Sequence, residues 1–251
     1  MWLATRGSKA EARVLRRRRI SLFITSFLLI YVLGAVVYFG IYYHATDHAK
    51  SFLTSTTDVS VNRVESGFMF DGPGTDRALI FYPGAKVEET AYAELMSRLA
   101  RGGIDCFLVK MPLHMAFMGR GKAAGIMATY DYDKWYISGH SLGGAIAALY
   151  CAEHGDEFDG MALLASYSTM DIRDDLPMVS IVASNDHVLQ WDVYEANQIN
   201  NPPDAVEVMI EGGNHCQFGD YGFQKGDGTA TISREEQLSQ VTEAILEMSG
   251  E

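Results

Sequence analysis

Residues 135–154 read WYISGHSLGGAIAALYCAEH. The first six are an apolar, aromatic and β-branched run of strand character, and the last ten are small residues that favour helix. Between them lies Gly139-His140-Ser141-Leu142-Gly143, followed by Gly144. Gly-x-Ser-x-Gly alone is a weak pattern. Set between a strand and a helix it describes a strained turn that lifts a serine hydroxyl to the top of a sheet, and glycines flank that turn because side chains there would collide. Ser141 is therefore the candidate nucleophile.

Working outward, short apolar runs recur at 67–70, 78–83, 105–110, 160–166, 178–184 and 206–210. From 78 onward they are mostly continuous rather than alternating, which suits strands covered on both faces. Stretches of helical character lie at 87–101, 116–130, 142–154, 188–197 and 234–248. This alternation predicts an α/β fold with a mostly parallel sheet flanked by helices, and ligands bind such sheets at the carboxyl ends of the strands.

A serine hydroxyl needs a base. Of seven histidines, His215 stands in Glu211-Gly212-Gly213-Asn214-His215, directly after the run VEVMI, where a glycine turn can swing an imidazole back over the sheet. His114 and His187 fall in loops and are candidate substrate-site residues. Asp186 follows MVSIVAS at a strand's carboxyl end and is the candidate orienting acid, ahead of Asp171, Asp174, Asp175 and Asp192. Donors for an oxyanion are expected from the backbone N–H of Leu142, at a helix N-terminus, and of Ala85 in the turn Tyr82-Pro83-Gly84-Ala85-Lys86, with Lys86 as the second choice. The apolar loop Met111–Gly119 carries Pro112, His114 and Phe117 and is expected, with Lys86, to line the substrate pocket. The same methionine-rich loop also suits ordinary core filling.

The order Ser141, Asp186, His215 on this scaffold resembles the α/β-hydrolase superfamily. Pro83-Gly84-Ala85-Lys86, Lys110-Met111-Pro112 and Gly213-Asn214-His215 followed by Phe218-Gly219-Asp220-Tyr221 resemble, more narrowly, a bacterial branch related to dienelactone hydrolases, over residues 65–250. The resemblance implies hydrolysis of esters or related acyl bonds of a small-molecule or lipid-like substrate, without cofactor or metal. Dienelactone hydrolases proper use cysteine where this chain has serine, so their lactone substrate is not carried over. No long insertion separates Ser141 from Asp186, so a minimal lid is expected. Peptidases and acyltransferases use the same set of residues, and a non-catalytic, membrane-tethered binding protein is the alternative from another class.

The chain has 251 residues, 48% of them hydrophobic, enough for one sizeable core. Residues 1–19 form a basic tail with seven Lys or Arg against one acid, whereas the rest carries 13 basic against 31 acidic residues, a net −18. A nucleic-acid backbone would be repelled by such a body, so no nucleic-acid partner is expected. Residues 20–43 contain no charged side chain and would span about 36 Å as a helix, enough to cross a bilayer. Arg16 to Arg19 precede this stretch, and basic flanks stay inside. The expectation is a single-pass anchor in the cell membrane with the N-terminus cytoplasmic. Residues 44–65, polar and rich in Ser and Thr, read as a tether, and 66–251 as an extracytoplasmic catalytic domain. Cys106, Cys151 and Cys216 allow at most one disulfide and show no metal-ligand spacing.

Overall fold

The computed structural model describes residues 2–74 and 76–250, with side chains from residue 11 onward, so Arg6 and Lys9 of the basic tail lie outside the described side chains. The chain divides into two compact units, residues 1–41 and 42–251. The first is one helix, α1 (Trp2–Gly40). Within it, Glu11–Gly40 is long and apolar enough to cross a membrane, with a mean hydropathy of 2.5.

The second unit is an eight-stranded sheet wrapped by helices. Its elements are α2 (Asp47–Ser51), β1 (Ser60–Val64), β2 (Gly67–Asp71), β3 (Arg77–Tyr82), α3 (Ala93–Arg101), β4 (Asp105–Val109), α4 (Lys122–Met127), β5 (Lys134–His140), α5 (Leu142–Glu153), β6 (Gly160–Leu164), β7 (Met178–Ala183), α6 (Trp191–Asn197), β8 (Val206–Ile210) and α7 (Arg234–Met248). Strand order is β1-β2-β4-β3-β5-β6-β7-β8. The pairs β1/β2 and β2/β4 are antiparallel and all others parallel. The seven apolar runs of the sequence thus appear as seven strands, each within one or two residues of its expected ends.

Side chains alternate across the sheet, which explains why the runs are continuous. Along β3, Leu79 and Phe81 enter a core shared with Leu95 and Leu99 of α3 and Leu238, Val241 and Ile245 of α7. Ala78, Ile80 and Tyr82 point the other way, into a core with Ala123 and Ile126 of α4 and Ala147, Ala148 and Cys151 of α5. Each fully buried aliphatic side chain contributes roughly 1.5–3 kcal/mol. The first turn of α7 is held by Ser233, whose hydroxyl accepts from the N–H of Glu236 at 3.1 Å.

Two regions differ from the sequence expectation. Residues 44–65 are part of the folded body rather than a tether. Tyr43 donates its N–H to the carbonyl of Lys86 at 2.7 Å, Thr46 caps α2, whose Ala49 is fully buried, and β1 pairs with β2 along its whole length. The polarity here belongs to an edge strand with one face in water, which has the composition of a linker. His48 and Asp220 are joined by the guanidinium of Arg234, which also reaches Glu94 at 2.7 Å and stitches this segment to α3 and α7. The helical stretch expected at 116–130 is cut to α4, and residues 112–114 and 116–119 are single 3₁₀ turns. Just before that stretch, Leu113 and His114 have φ of 51° and 55°, so no helix runs into it from the end of β4.

Candidate active site

Ser141 joins β5 to α5 at φ 53° and ψ −129°, a conformation that costs a non-glycine residue of order 1–3 kcal/mol. The surroundings enforce it. The Ser141 N–H donates to the carbonyl of Leu164 at 2.9 Å, and its carbonyl accepts from the Ser166 hydroxyl at 2.8 Å. Two glycines make the turn sterically possible. A Cβ on Gly139 would lie 2.6 Å from the backbone of Gly143, and one on Gly143 would lie 2.2 Å from the carbonyl oxygens of Tyr82 and Pro83.

Asp186 and His215 meet where the loops after β7 and β8 converge, with Nδ1 of His215 at 2.7 Å from Oδ2 of Asp186 and both side chains buried. The other oxygen of Asp186 accepts the N–H groups of Val188 and Leu189, each at 2.8 Å. With two backbone N–H groups on its other oxygen, Asp186 is placed to accept from Nδ1 of His215, which leaves Nε2 facing away from it. Ser141, Leu142 and His215 line an open cavity of about 190 Å³, together with Tyr167, Val188 and Leu189 among others.

The loop of His215 is fixed by residues that the sequence reading did not single out. Buried Asp227 accepts the N–H of Cys216 at 2.8 Å on one oxygen, and those of His187 and His215, each at 3.3 Å, on the other. Gln237, fully buried on α7, accepts the N–H of Asn214 and donates to its carbonyl. Its carboxamide lies where a Cβ on Gly213 would stand. An Asp in a polar loop and a Gln on a helix carry no local signal of such roles.

Around Pro83–Lys86, the Lys86 N–H donates to the carbonyl of His114 at 2.8 Å, which removes it as an oxyanion donor. The N–H groups of Ala85 and Leu142 have no acceptor among the described residues. Gly84 donates to the Tyr92 hydroxyl at 3.2 Å, and that hydroxyl lies 2.8 Å from Nδ1 of His140. Among the described residues the phenol has no other acceptor, so its proton goes to Nδ1. Burial, reinforced by the neighbouring imidazole of His215 at 4.4 Å between ring centroids, holds the His140 ring well below its usual pKa and therefore neutral. Tyr92 and His140 thus link the turn after β3 to the residue before Ser141.

The remaining expected pocket residues lie elsewhere. Lys86, Pro112, His114 and Phe117 do not line the cavity at Ser141. Pro112 and Phe117 are exposed, and His114 stacks on Tyr42 with centroids 3.9 Å apart. The loop after β4 turns outward at its two positive-φ residues, and the loops after β6 and β7 form the wall instead. All three cysteines are buried free thiols. Burial pushes Cys216 up to about 11, so at neutral pH it is an inert neighbour of His215 rather than a reactive thiol.

A mostly parallel sheet with a strained serine turn and a buried acid–imidazole pair at its carboxyl edge is the architecture of a class of hydrolases. The chain belongs to the alpha/beta hydrolase family, whose model matches residues 78–239, more than half of its length. Among solved structures it is similar to Est1E from Butyrivibrio proteoclasticus (TM-score 0.55, 14% identity, 78% of this chain and 100% of that one). A hydrolase from Agrobacterium vitis S4 has a TM-score of 0.58 at 14% identity, covering 76% of this chain and 98% of that one. Mouse alpha/beta hydrolase domain-containing protein 10 has a TM-score of 0.55 at 11% identity, covering 77% and 98%. At these identities the likeness concerns the fold. No curated protein sequence matches the chain.

Proposed function

We propose that the chain is a membrane-anchored serine hydrolase that cleaves ester or related acyl bonds through an acyl-enzyme intermediate. The observation that carries this reading is the buried 2.7 Å contact between His215 and Asp186 on the rim of the cavity that Ser141 also lines. In the mechanism, Nε2 of His215 takes the Ser141 proton as the hydroxyl attacks the acyl carbon, then returns it to the leaving alcohol. Asp186 holds the imidazole in that tautomer and stabilises the cation that forms. The free N–H groups of Leu142 and Ala85 receive the oxyanion. Water, activated by the same imidazole, releases the acyl group. No organic cofactor or metal enters this scheme.

The anchor in this reading is the apolar part of α1, with the arginine-rich N-terminus cytoplasmic and the catalytic unit outside. The test is hydrolysis of p-nitrophenyl esters from acetate to laurate by the full chain and by Ser141→Ala. The expected result is activity that falls by about 10³-fold or more in the variant, with unchanged thermal stability. A cavity of this size favours the short esters. Equal rates in both proteins would remove Ser141 from the chemistry, and absence of any ester or amide hydrolysis in folded protein would favour a binding role.

A further inference from the structure

We propose that the loop Met111–Gly119 and Phe223 together form a surface that docks onto the bilayer crossed by α1. The proposal rests on the anchor reading above and goes beyond it by assigning a lipid-facing surface to the catalytic unit.

The first observation is exposed apolar area on two loops. Leu113, Phe117 and Met118 are each about half exposed, and Phe223 is 61% exposed. Leu113 and His114 are held at positive φ, which turns Leu113 outward at an energetic cost that packing does not repay.

The second observation is where the chain enters the unit. Tyr42 is the second residue beyond Gly40, so at 3.8 Å per residue its Cα lies no more than about 8 Å of chain from the end of the apolar span. Tyr42 stacks directly on His114, and the hydroxyl of Tyr43 accepts the N–H of Lys225 at 3.2 Å, two residues from Phe223. Both apolar segments are therefore tied to the second and third residues after Gly40.

The third observation is charge. The body carries a net −18, yet the loop after β4 is flanked in sequence by Lys110, Arg120 and Lys122. The ammonium of Lys122 reaches the carbonyl of Lys110 at the start of the loop at 2.7 Å, and the ammonium of Lys110 lies 3.8 Å from a carboxylate oxygen of Glu89. Apolar side chains able to enter the headgroup boundary, with basic residues at both ends of the same loop, suit a lipid surface. A protein partner is disfavoured by the same arrangement, because the apolar residues sit on turns rather than on a flat or grooved face. Docking in this way would place the loop after β4, and the oxyanion turn bonded to it through Lys86 and His114, at the lipid surface.

The test uses the full chain in vesicles of phosphatidylcholine and phosphatidylglycerol. Phe117→Cys and Val206→Cys are each labelled with an environment-sensitive fluorophore, the native thiols being buried. Val206 is exposed at the start of β8, the opposite edge and end of the sheet. Lipids carrying a quencher within the acyl region are expected to remove on the order of half the emission at 117 and little at 206, since a docked side chain sits some 5–10 Å into the boundary. Phe223→Cys serves if the first variant misfolds. Carbonate washing separates the two readings. Protein that stays in the membrane with label 117 unquenched, or with 117 and 206 quenched alike, overturns the docking surface alone, whereas protein released by carbonate overturns the anchor and the docking with it.

Discussion

The turn that carries Ser141 and the loop that carries His215 deliver two side chains to one cavity by different means. The serine is held by backbone. Its φ of 53°, the bond from its N–H to Leu164 and the close approach of Gly143 to the Tyr82 and Pro83 carbonyls involve main chain almost throughout. The histidine is held by side chains remote in sequence: Asp186, Asp227 and Gln237. A main-chain constraint dictates which residues fit on the spot and so leaves a motif. A clamp made by distant side chains leaves single residues scattered along the chain.

The comparison breaks most visibly at Gly143. In Gly143→Ala the new Cβ would meet two carbonyl oxygens at 2.2 Å, and neither can move without shifting β3 or the turn that follows it. The expected loss is about 3 kcal/mol of stability, at the upper end of overpacking costs. On the proposed mechanism, pushing Leu142 and Ala85 apart should also lower kcat by about 10²–10³, as for loss of one oxyanion donor. Thermal denaturation and ester kinetics read the two effects. A variant of normal stability and activity would show that this turn is softer than its contacts imply.

A smaller effect is expected in the loop of His215. Asp227→Asn keeps the size of the side chain but can turn an N–H₂ donor toward the N–H of Cys216, leaving buried donors opposed. Misplacement of the imidazole by about 1 Å is worth on the order of 10² in rate, so kcat should drop by about that factor while KM stays close to normal. Stability should fall by about 1–3 kcal/mol. A rise in KM with kcat intact would instead assign Asp227 to the cavity wall.

The same distinction explains what could be read from the chain. The strands from β2 to β8 were legible because burial on both faces writes continuous apolar runs. Ser141 was legible because its turn needs glycines, and Asp186 and His215 because each follows a strand at the edge where chemistry is expected. β1 was not, since an edge strand with exposed residues has the composition of a linker. Tyr167, Val188 and Leu189 were not, because a cavity wall asks only for bulk and accepts many residues. Met111–Gly119 misled for the opposite reason. Its apolar side chains suggested a pocket, and only the backbone, left-handed at Leu113 and His114, turns them outward.

Tyr92 joins the two regions, and its removal is the finest test of whether they are independent. Its hydroxyl accepts the N–H of Gly84 and donates to Nδ1 of His140, whose ring packs against His215. Tyr92→Phe keeps the buried ring and deletes only this bridge, leaving one N–H and one ring nitrogen unpaired at a cost of about 1–2 kcal/mol. The Gly84 turn then gains freedom to move its neighbour Ala85 away from the oxyanion. On the proposed mechanism kcat should fall by about tenfold, equivalent to about 1.4 kcal/mol of transition-state stabilisation, with little change in KM. A purely structural tyrosine would lower the melting temperature and spare kcat at temperatures where the protein is folded. The serine turn and the histidine loop would then be separate devices that happen to share a cavity, and not one unit braced through a single phenol.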